Sequence, residues 1–201
     1  MQDIISVMKG DDEAASPNLI VRTANSLRNL ADQLEQGSVG DPVEWTIPMA
    51  DIGTVRMNDH CDAIAARFGR KRLAVYAICF DDKVPLERVY EVVDRIKVEN
   101  KALPVEERTA FARINNRKDC LGSKCLYVGK SEKVAARLKE HLTQANRATY
   151  AIHMDRWPCD LPGNLIIRVI EVEGVASSML PFLEDQLAGE MPPILGKRGS
   201  V

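Results

Sequence analysis

Residues 125–142, CLYVGKSEKVAARLKEHL, decide the reading of this chain. The first five residues are an apolar strand that closes on a glycine, CLYVG. Ser131 is placed to cap a helix, and Glu132 suits the positive helix end. At 100° per residue, Val134, Leu138, Leu142 and Ala145 form one apolar stripe. His141 falls roughly 20° from Val134 and Arg137 roughly 60° from it, on the same side. A histidine and an arginine thus sit where the helix meets the sheet. From this helix alone, a core-edge histidine and an arginine with a buried stem explain the pattern as well as any chemistry does.

Working outward, RLAVYAICF (72–80) is an apolar run of strand formers and reads as the first core strand. ATYAIHM (148–154) and NLIIRVIEV (164–172) read as two more strands around the turn-forming WPCDLPG. Helices are expected from Pro85 to about Lys101, from Pro104 to about Ile114, and from Ser177 to about Ala188. N-terminally, Leu19, Ile20, Thr23, Leu27, Leu30 and Leu34 repeat at helical spacing, so a helix is expected over 18–36. Residues 1–17 read as an acidic leader without periodicity, and 43–71 show only a helix over about 58–68. The tail PPILGKRGSV reads as extended.

Composition narrows the function classes. The 201 residues carry a net charge of −2. No apolar run approaches the roughly 18 residues of a membrane span, and no secretory signal is visible. Five scattered cysteines without such a signal imply free thiols and a cytoplasmic setting. The small net charge conceals an asymmetry. Residues 1–44 hold three basic side chains against eight acidic ones, whereas residues 113–147 hold nine against three. A local basic face, not the total, decides whether a polyanion can bind. The loop RINNRKDCLGSK enters directly at the YVG strand, and its Arg113, Arg117, Lys118 and Lys124 are candidates for a nucleic-acid backbone or for a solvated loop. Trp157 reads as packing at a turn, with base stacking as the other option.

The last helix repeats the oddity of the first. Leu180, Leu183 and Leu187 form its buried face, and Glu184 lies roughly 40° from Leu180 at the margin of that face. A carboxylate there needs a cationic partner, such as Arg137 or Arg168, or a metal.

Taken in order, AVY (Ala74, Val75, Tyr76), YVGKS from Tyr127, Arg137, His141, then a helical glutamate in LEDQL followed by PILGKRG resemble the GIY-YIG endonuclease family. The resemblance covers residues 72–80 and 124–201. It implies an α+β fold: a small three-stranded antiparallel sheet flanked by helices. Here it would carry a helical N-terminal extension (1–71) and, within a nuclease domain over 72–201, a helical insertion at about 81–124 between the first two core strands. It implies a metal-dependent DNA endonuclease. Tyr76, Tyr127, Arg137, His141 and Glu184 are its catalytic positions, Gly129 and Lys130 flank the substrate, and Glu184 holds Mg²⁺ or Mn²⁺. The implied substrate is double-stranded or branched DNA, and no membrane is involved. A module that kept the fold and lost the activity, for binding nucleic acid or protein, is the alternative. The N-terminal helical segment is the candidate for a protein partner or for self-association. Three departures stand out: Ala74 replaces the first glycine of the name motif, Tyr76 and Tyr127 are 51 positions apart, and no asparagine follows Glu184.

The residue types suit phosphodiester hydrolysis. Arg137 can fork onto two phosphate oxygens, Lys130 adds a point charge, and a carboxylate is a hard ligand for a divalent ion. Tyr76 is the expected general base. A phenol of pKa about 10 needs neighbouring cations, with His141 as acceptor or relay of its proton. Tyr127 would orient water or phosphate.

Overall fold

The computed structural model describes residues 15–143 and 145–196. Helix α1 (Ala15–Gln36) leads into two short strands, β1 (Ser38–Val39) and β2 (Val43–Pro48), and then α2 (Arg56–Phe68). Strand β3 (Ala74–Phe80) is followed by α3 (Leu86–Ala102), a long irregular stretch, and β4 (Cys125–Ser131). Helix α4 (Val134–Leu142), strand β5 (Asn164–Glu173) and α5 (Leu180–Glu190) complete the order. The fold is α+β, with five antiparallel strands and five α-helices among the described residues. No helix among them is long and apolar enough to cross a membrane.

Strand β5 sits inside the sheet. One of its edges takes β2 and then β1, the other takes β3, and β4 lies outside β3. All seven residues of β3 are buried, as a strand covered on both faces requires. Tyr76, Ile78, Phe80, Leu165, Ile167, Val169 and Ile47 face the main core, which α2, α3 and α4 close with Met57, Ile64, Phe68, Val89, Val93, Ile96, Leu138 and Leu142. The opposite face carries Ala77, Cys79, Cys125 and Val128 under Leu187, Ala188 and Met191 of α5 and its end. Each fully buried aliphatic side chain contributes about 1.5–3 kcal/mol, so the thirty-odd residues of the main core outweigh any surface ion pair described below.

Several sequence expectations need correction. The sheet has five strands, not three. VEWTIP is a strand because Val43, Trp45 and Ile47 alternate toward the core. Residues 43–68 therefore feed the same core as β3, although the sequence reading placed them in the accessory segment 1–71. ATYAIHM is not a strand. It makes one bridge, Phe111 to Ala151, and then His153 turns left-handed (φ 46°) into the short turn Met154–Arg156. The outer edge of β4 is instead taken by the C-terminal segment, where Ile194 N–H donates to Cys125 O at 2.9 Å and Leu195 N–H to Leu126 O at 2.8 Å. The helix expected over 104–114 shrinks to a single turn, Val105–Glu107. The residues after it are committed elsewhere: Thr109 to Asn100, Ala110 to Arg147, and Ile114 to Leu195. The helical insertion between β3 and β4 is present as α3. Of the leader expected over 1–17, residues 15–17 already belong to α1 and the rest lie outside the described residues, as does the tail beyond 196.

Candidate active site

Four elements, β3, β4, α4 and α5, carry the candidate residues. Antiparallel register sets Tyr76 of β3 directly opposite Gly129 of β4, and the bare α-carbon of Gly129 is what lets the phenol through. A Cβ on Gly129 would fall 2.5 Å from Tyr76 Oη and 2.7 Å from the Tyr127 ring, so no larger residue fits beneath both. Ala74, where the name motif has glycine, is buried strand paired with Ser131 and Glu171 and needs no special conformation.

Helix α4 then presents His141 and Arg137. His141 is wholly buried, deeper than the core-edge position expected. A buried imidazole must satisfy both nitrogens. Nε2 lies 2.9 Å from Tyr76 Oη, and Nδ1 accepts the backbone N–H of Ile152 at 3.3 Å. Because Nδ1 is an acceptor, the neutral ring carries its proton on Nε2 and donates it to Tyr76. Burial first, then the charge of Arg137 and the neighbouring His153, hold the ring well below its ordinary pKa, so it stays neutral at pH 7. The Tyr127 ring closes the cluster, 4.5 Å from His141 and 6.2 Å from Tyr76 between centroids. This geometry corrects the relay expected from the sequence. His141 can receive no proton on Nε2 without first giving up its bond to Ile152.

Arg137 lies at the rim. Its guanidinium donates to Glu140 at 2.6 Å and to the carbonyl of Tyr150. Burial opposes its charge, but Glu140 and the two phenols outweigh burial and hold the guanidinium above its usual value. Arg137 in turn lowers both phenols. Burial nevertheless wins, aided at Tyr76 by Tyr127, and both tyrosines stay protonated above the usual phenol range. The Glu184 charge pushes the two phenols in the same direction, which places that carboxylate within electrostatic reach of the pair. Glu184 is ion-paired with Lys130, not with Arg137 or Arg168. Arg168 pairs with Glu44 across β5 and β2.

The loop candidates lie elsewhere. Arg117 pairs with Asp94 and stacks on Tyr90, 4.9 Å from the ring centroid, and Lys124 pairs with Asp82. Lys118 is exposed. Lys124 and Lys130 bracket β4, about 20 Å apart at the rise of a strand. Arg117, Lys118 and Lys124 are therefore not gathered with the tyrosines. A cavity of about 610 Å³ lies at their end, lined by Asp81, Asp119, Cys120, Lys124 and Arg168 among others. The five cysteines are free thiols. Trp157 is buried at its turn and donates to Ile152 O at 3.1 Å.

Sequence reading missed four contributors. Tyr150 accepts Arg137 on its carbonyl and Arg113 N–H on its hydroxyl at 2.7 Å. Ile152 sets the histidine tautomer through its backbone. Glu140 holds Arg137. Gly196 (φ 117°) lies on Tyr127, where an added Cβ would sit 3.3 Å from the ring. Tyr150, Ile152 and Gly196 have no local signature, because each acts through a contact distant in sequence, whereas Glu140 lies one helical turn from Arg137, a spacing the sequence does carry.

A divalent metal tests as follows against the donors present. Among the described residues no group of three or more His, Cys, Asp or Glu could cage an ion. Glu184 offers one hard carboxylate, and the Lys130 ammonium occupies the cation position beside it. One carboxylate would leave most of the coordination of a hard divalent ion to water and to phosphate oxygens. No family model, curated protein or solved structure matches the chain.

Proposed function

We propose that the chain is a metal-dependent endonuclease of the GIY-YIG type that hydrolyses phosphodiester bonds in double-stranded or branched DNA. The observation that carries this reading is the cluster itself: two phenols, an imidazole locked as donor, a guanidinium, and a Lys130–Glu184 ion pair, drawn from β3, β4, α4 and α5. Random core packing has no need of a buried histidine donating to a buried tyrosine.

The two rim ion pairs are a resting arrangement in which each ion holds a stand-in. Glu140 stands in for a phosphate at Arg137, and Lys130 stands in for a metal at Glu184. Substrate exchanges these partners: Arg137 forks onto the phosphate, Lys130 turns to a second phosphate oxygen, and Glu184 is freed. Glu184 would hold a divalent cation there, whose charge would supply neutralisation of the phosphate and of the leaving oxygen. Tyr76 accepts one hydrogen bond, from His141 Nε2, and lies beside Arg137, so its oxygen is prepared for negative charge. Once the cations of the bound complex lower its pKa, its proton passes to a water admitted with the substrate, and the phenolate then takes a proton from the attacking water. Tyr127, less sealed than Tyr76, orients the attacking water.

The test is incubation with supercoiled, nicked and branched DNA in Mg²⁺, Mn²⁺ or EDTA. Cleavage is expected only with metal. Glu184→Ala should abolish it with the fold intact, and Tyr76→Phe should lower the rate at least about 100-fold with DNA affinity nearly unchanged. Undiminished cutting by folded Glu184→Ala removes the assignment. One observation favours the inactive module: Tyr76 has no exposed surface. DNA binding without cleavage in either metal would select that reading.

A further inference from the structure

We propose that Cys79 and Cys125 form a peroxide-responsive dithiol, which hydrogen peroxide entering the cavity at the Lys124 end of β4 converts to a cross-strand disulfide. The two residues are direct partners across β3 and β4, and both side chains lie on the sheet face under α5. They form a non-hydrogen-bonded pair. Phe80 N–H, one residue on, donates to Lys124 O at 2.9 Å, and Cys125 O turns to the opposite edge, where it accepts Ile194 N–H. Such pairs bring α-carbons to about 4.5 Å with side chains close, within the range of about 4.4–6.8 Å that a disulfide spans. The thiols therefore meet with no backbone movement required. Neither takes part in the tyrosine cluster, which lies on the other face of the sheet.

The cavity supplies the approach and selects the oxidant. Cys79 and Cys125 are only 6% and 3% exposed, but both line the space of about 610 Å³. Asp81, Asp119 and Glu190 line it too, and Lys124 is already paired with Asp82. Negative charge there disfavours anionic disulfides and admits a small neutral molecule. The two thiols differ. A hydrogen bond from Cys125 lowers the Cys79 pKa against burial, helped by Arg168. Cys125 is held as the thiol, by that bond first and then by burial, with Tyr127 O 3.7 Å from its sulfur. Cys79 is therefore the attacking thiolate. Its sulfur attacks one peroxide oxygen: an S–O bond forms, the O–O bond breaks, and the hydroxide released takes up a proton and leaves as water. The Cys125 sulfur then attacks the Cys79 sulfenic sulfur. The S–S bond forms, the S–O bond breaks, and the second hydroxide leaves as water with the Cys125 proton. Two thiols are oxidised and one peroxide is reduced to two waters. The new bond ties together the strands that carry Tyr76 and Tyr127.

The test is peptide mass spectrometry of the full, folded chain after exposure to hydrogen peroxide without DNA, so its outcome is separate from the nuclease reading. Remaining thiols are alkylated in denaturant once the peroxide is removed. The expected product is a Cys79–Cys125 linked peptide within one chain, about 2 Da lighter than its parts and released by dithiothreitol. Exposed Cys159 reports that the oxidant acted. Cys125→Ser should leave Cys79 as a sulfenic acid that a cyclic diketone captures, and Cys79→Ser should slow oxidation of Cys125 by more than about tenfold. A wild-type chain in which Cys159 is oxidised while Cys79 and Cys125 are alkylated overturns the proposal, whether or not the variants fold. So does a bond from either residue to Cys120, which also lines the cavity. A folded Cys125→Ser chain whose Cys79 the diketone does not capture overturns it as well, because Cys79 would then not be the thiol that attacks.

Discussion

His141 carries a consequence for stability as well as for chemistry. An unfolded histidine takes up a proton near pH 6.5. The folded ring, buried and faced by Arg137 and His153, resists protonation until far lower pH. Below about pH 6.5 the unfolded state therefore binds more protons than the folded one, and stability falls as pH drops. Above about pH 6.5 the contribution is complete. The slope approaches about 1.4 kcal/mol per pH unit for one such residue. His153, lowered by burial with only part of that help undone by its backbone bonds, adds in the same direction. Urea unfolding at pH 7.5 and 5.0 should show the loss, and His141→Asn should flatten the dependence by roughly one proton. An unchanged slope in that variant would mean that the ring is charged when folded. The residues of the site were partly legible for this reason: a histidine and an arginine beside an apolar stripe are visible by helical phase alone. What phase cannot supply is the partner. The donor to Nδ1 is a backbone group eleven residues downstream, and no side-chain identity announces it.

Strand β4 shows the same divide for whole elements. Its existence follows from the apolar run CLYVG, and at the side of the sheet Gly129 stands opposite Tyr76 of β3. Its other neighbour does not follow. The run 148–154 reads as a strand, yet the edge of β4 is held by Ile194 and Leu195, which lie beside two prolines. Propensity lost to a long-range hydrophobic contact: Ile194 and Leu195 are fully buried in the main core. β2 was passed over because a period-two pattern of six residues is weak when a proline ends it. The tail is thus an edge protector, and Gly196 also rests on Tyr127. Ending the chain after Pro192 should bare the β4 edge, remove two buried aliphatic side chains and cost about 3–6 kcal/mol. The measurement is thermal melting with light scattering, where a lower midpoint and new aggregation are expected. A truncated chain that melts like the full one would show that the segment only lies on the surface.

Across the whole molecule, charge is arranged along β4. At one end Lys124 and Arg117 are met by Asp82 and Asp94, and the adjoining cavity also carries Asp81, Asp119 and Glu190. A phosphate backbone gains little there. At the other end lie Lys130, paired with Glu184, and Arg137, paired with Glu140 beside the tyrosines. The flank beyond them is built by the end of the insertion, where Arg113 N–H binds Tyr150, Arg113 O accepts Gly196 N–H at 2.8 Å, and Arg147 O accepts Ala110 N–H at 2.7 Å. Both arginine side chains are exposed, and among the described residues neither has a carboxylate partner. If DNA follows the positive potential, it crosses the Lys130–Arg137 end and runs out over Arg113 and Arg147. Arg113→Glu with Arg147→Glu should then weaken duplex binding at least about tenfold at low salt and make the salt dependence shallower by about one to two counterions. Arg117→Glu with Lys118→Glu, at the neutralised end, should change affinity by less than about threefold. Titration of a labelled duplex at several salt concentrations, in EDTA so that nothing is cut, separates the two cases. A larger loss from the second pair would place the DNA path over the acidic cavity and detach it from the tyrosine cluster.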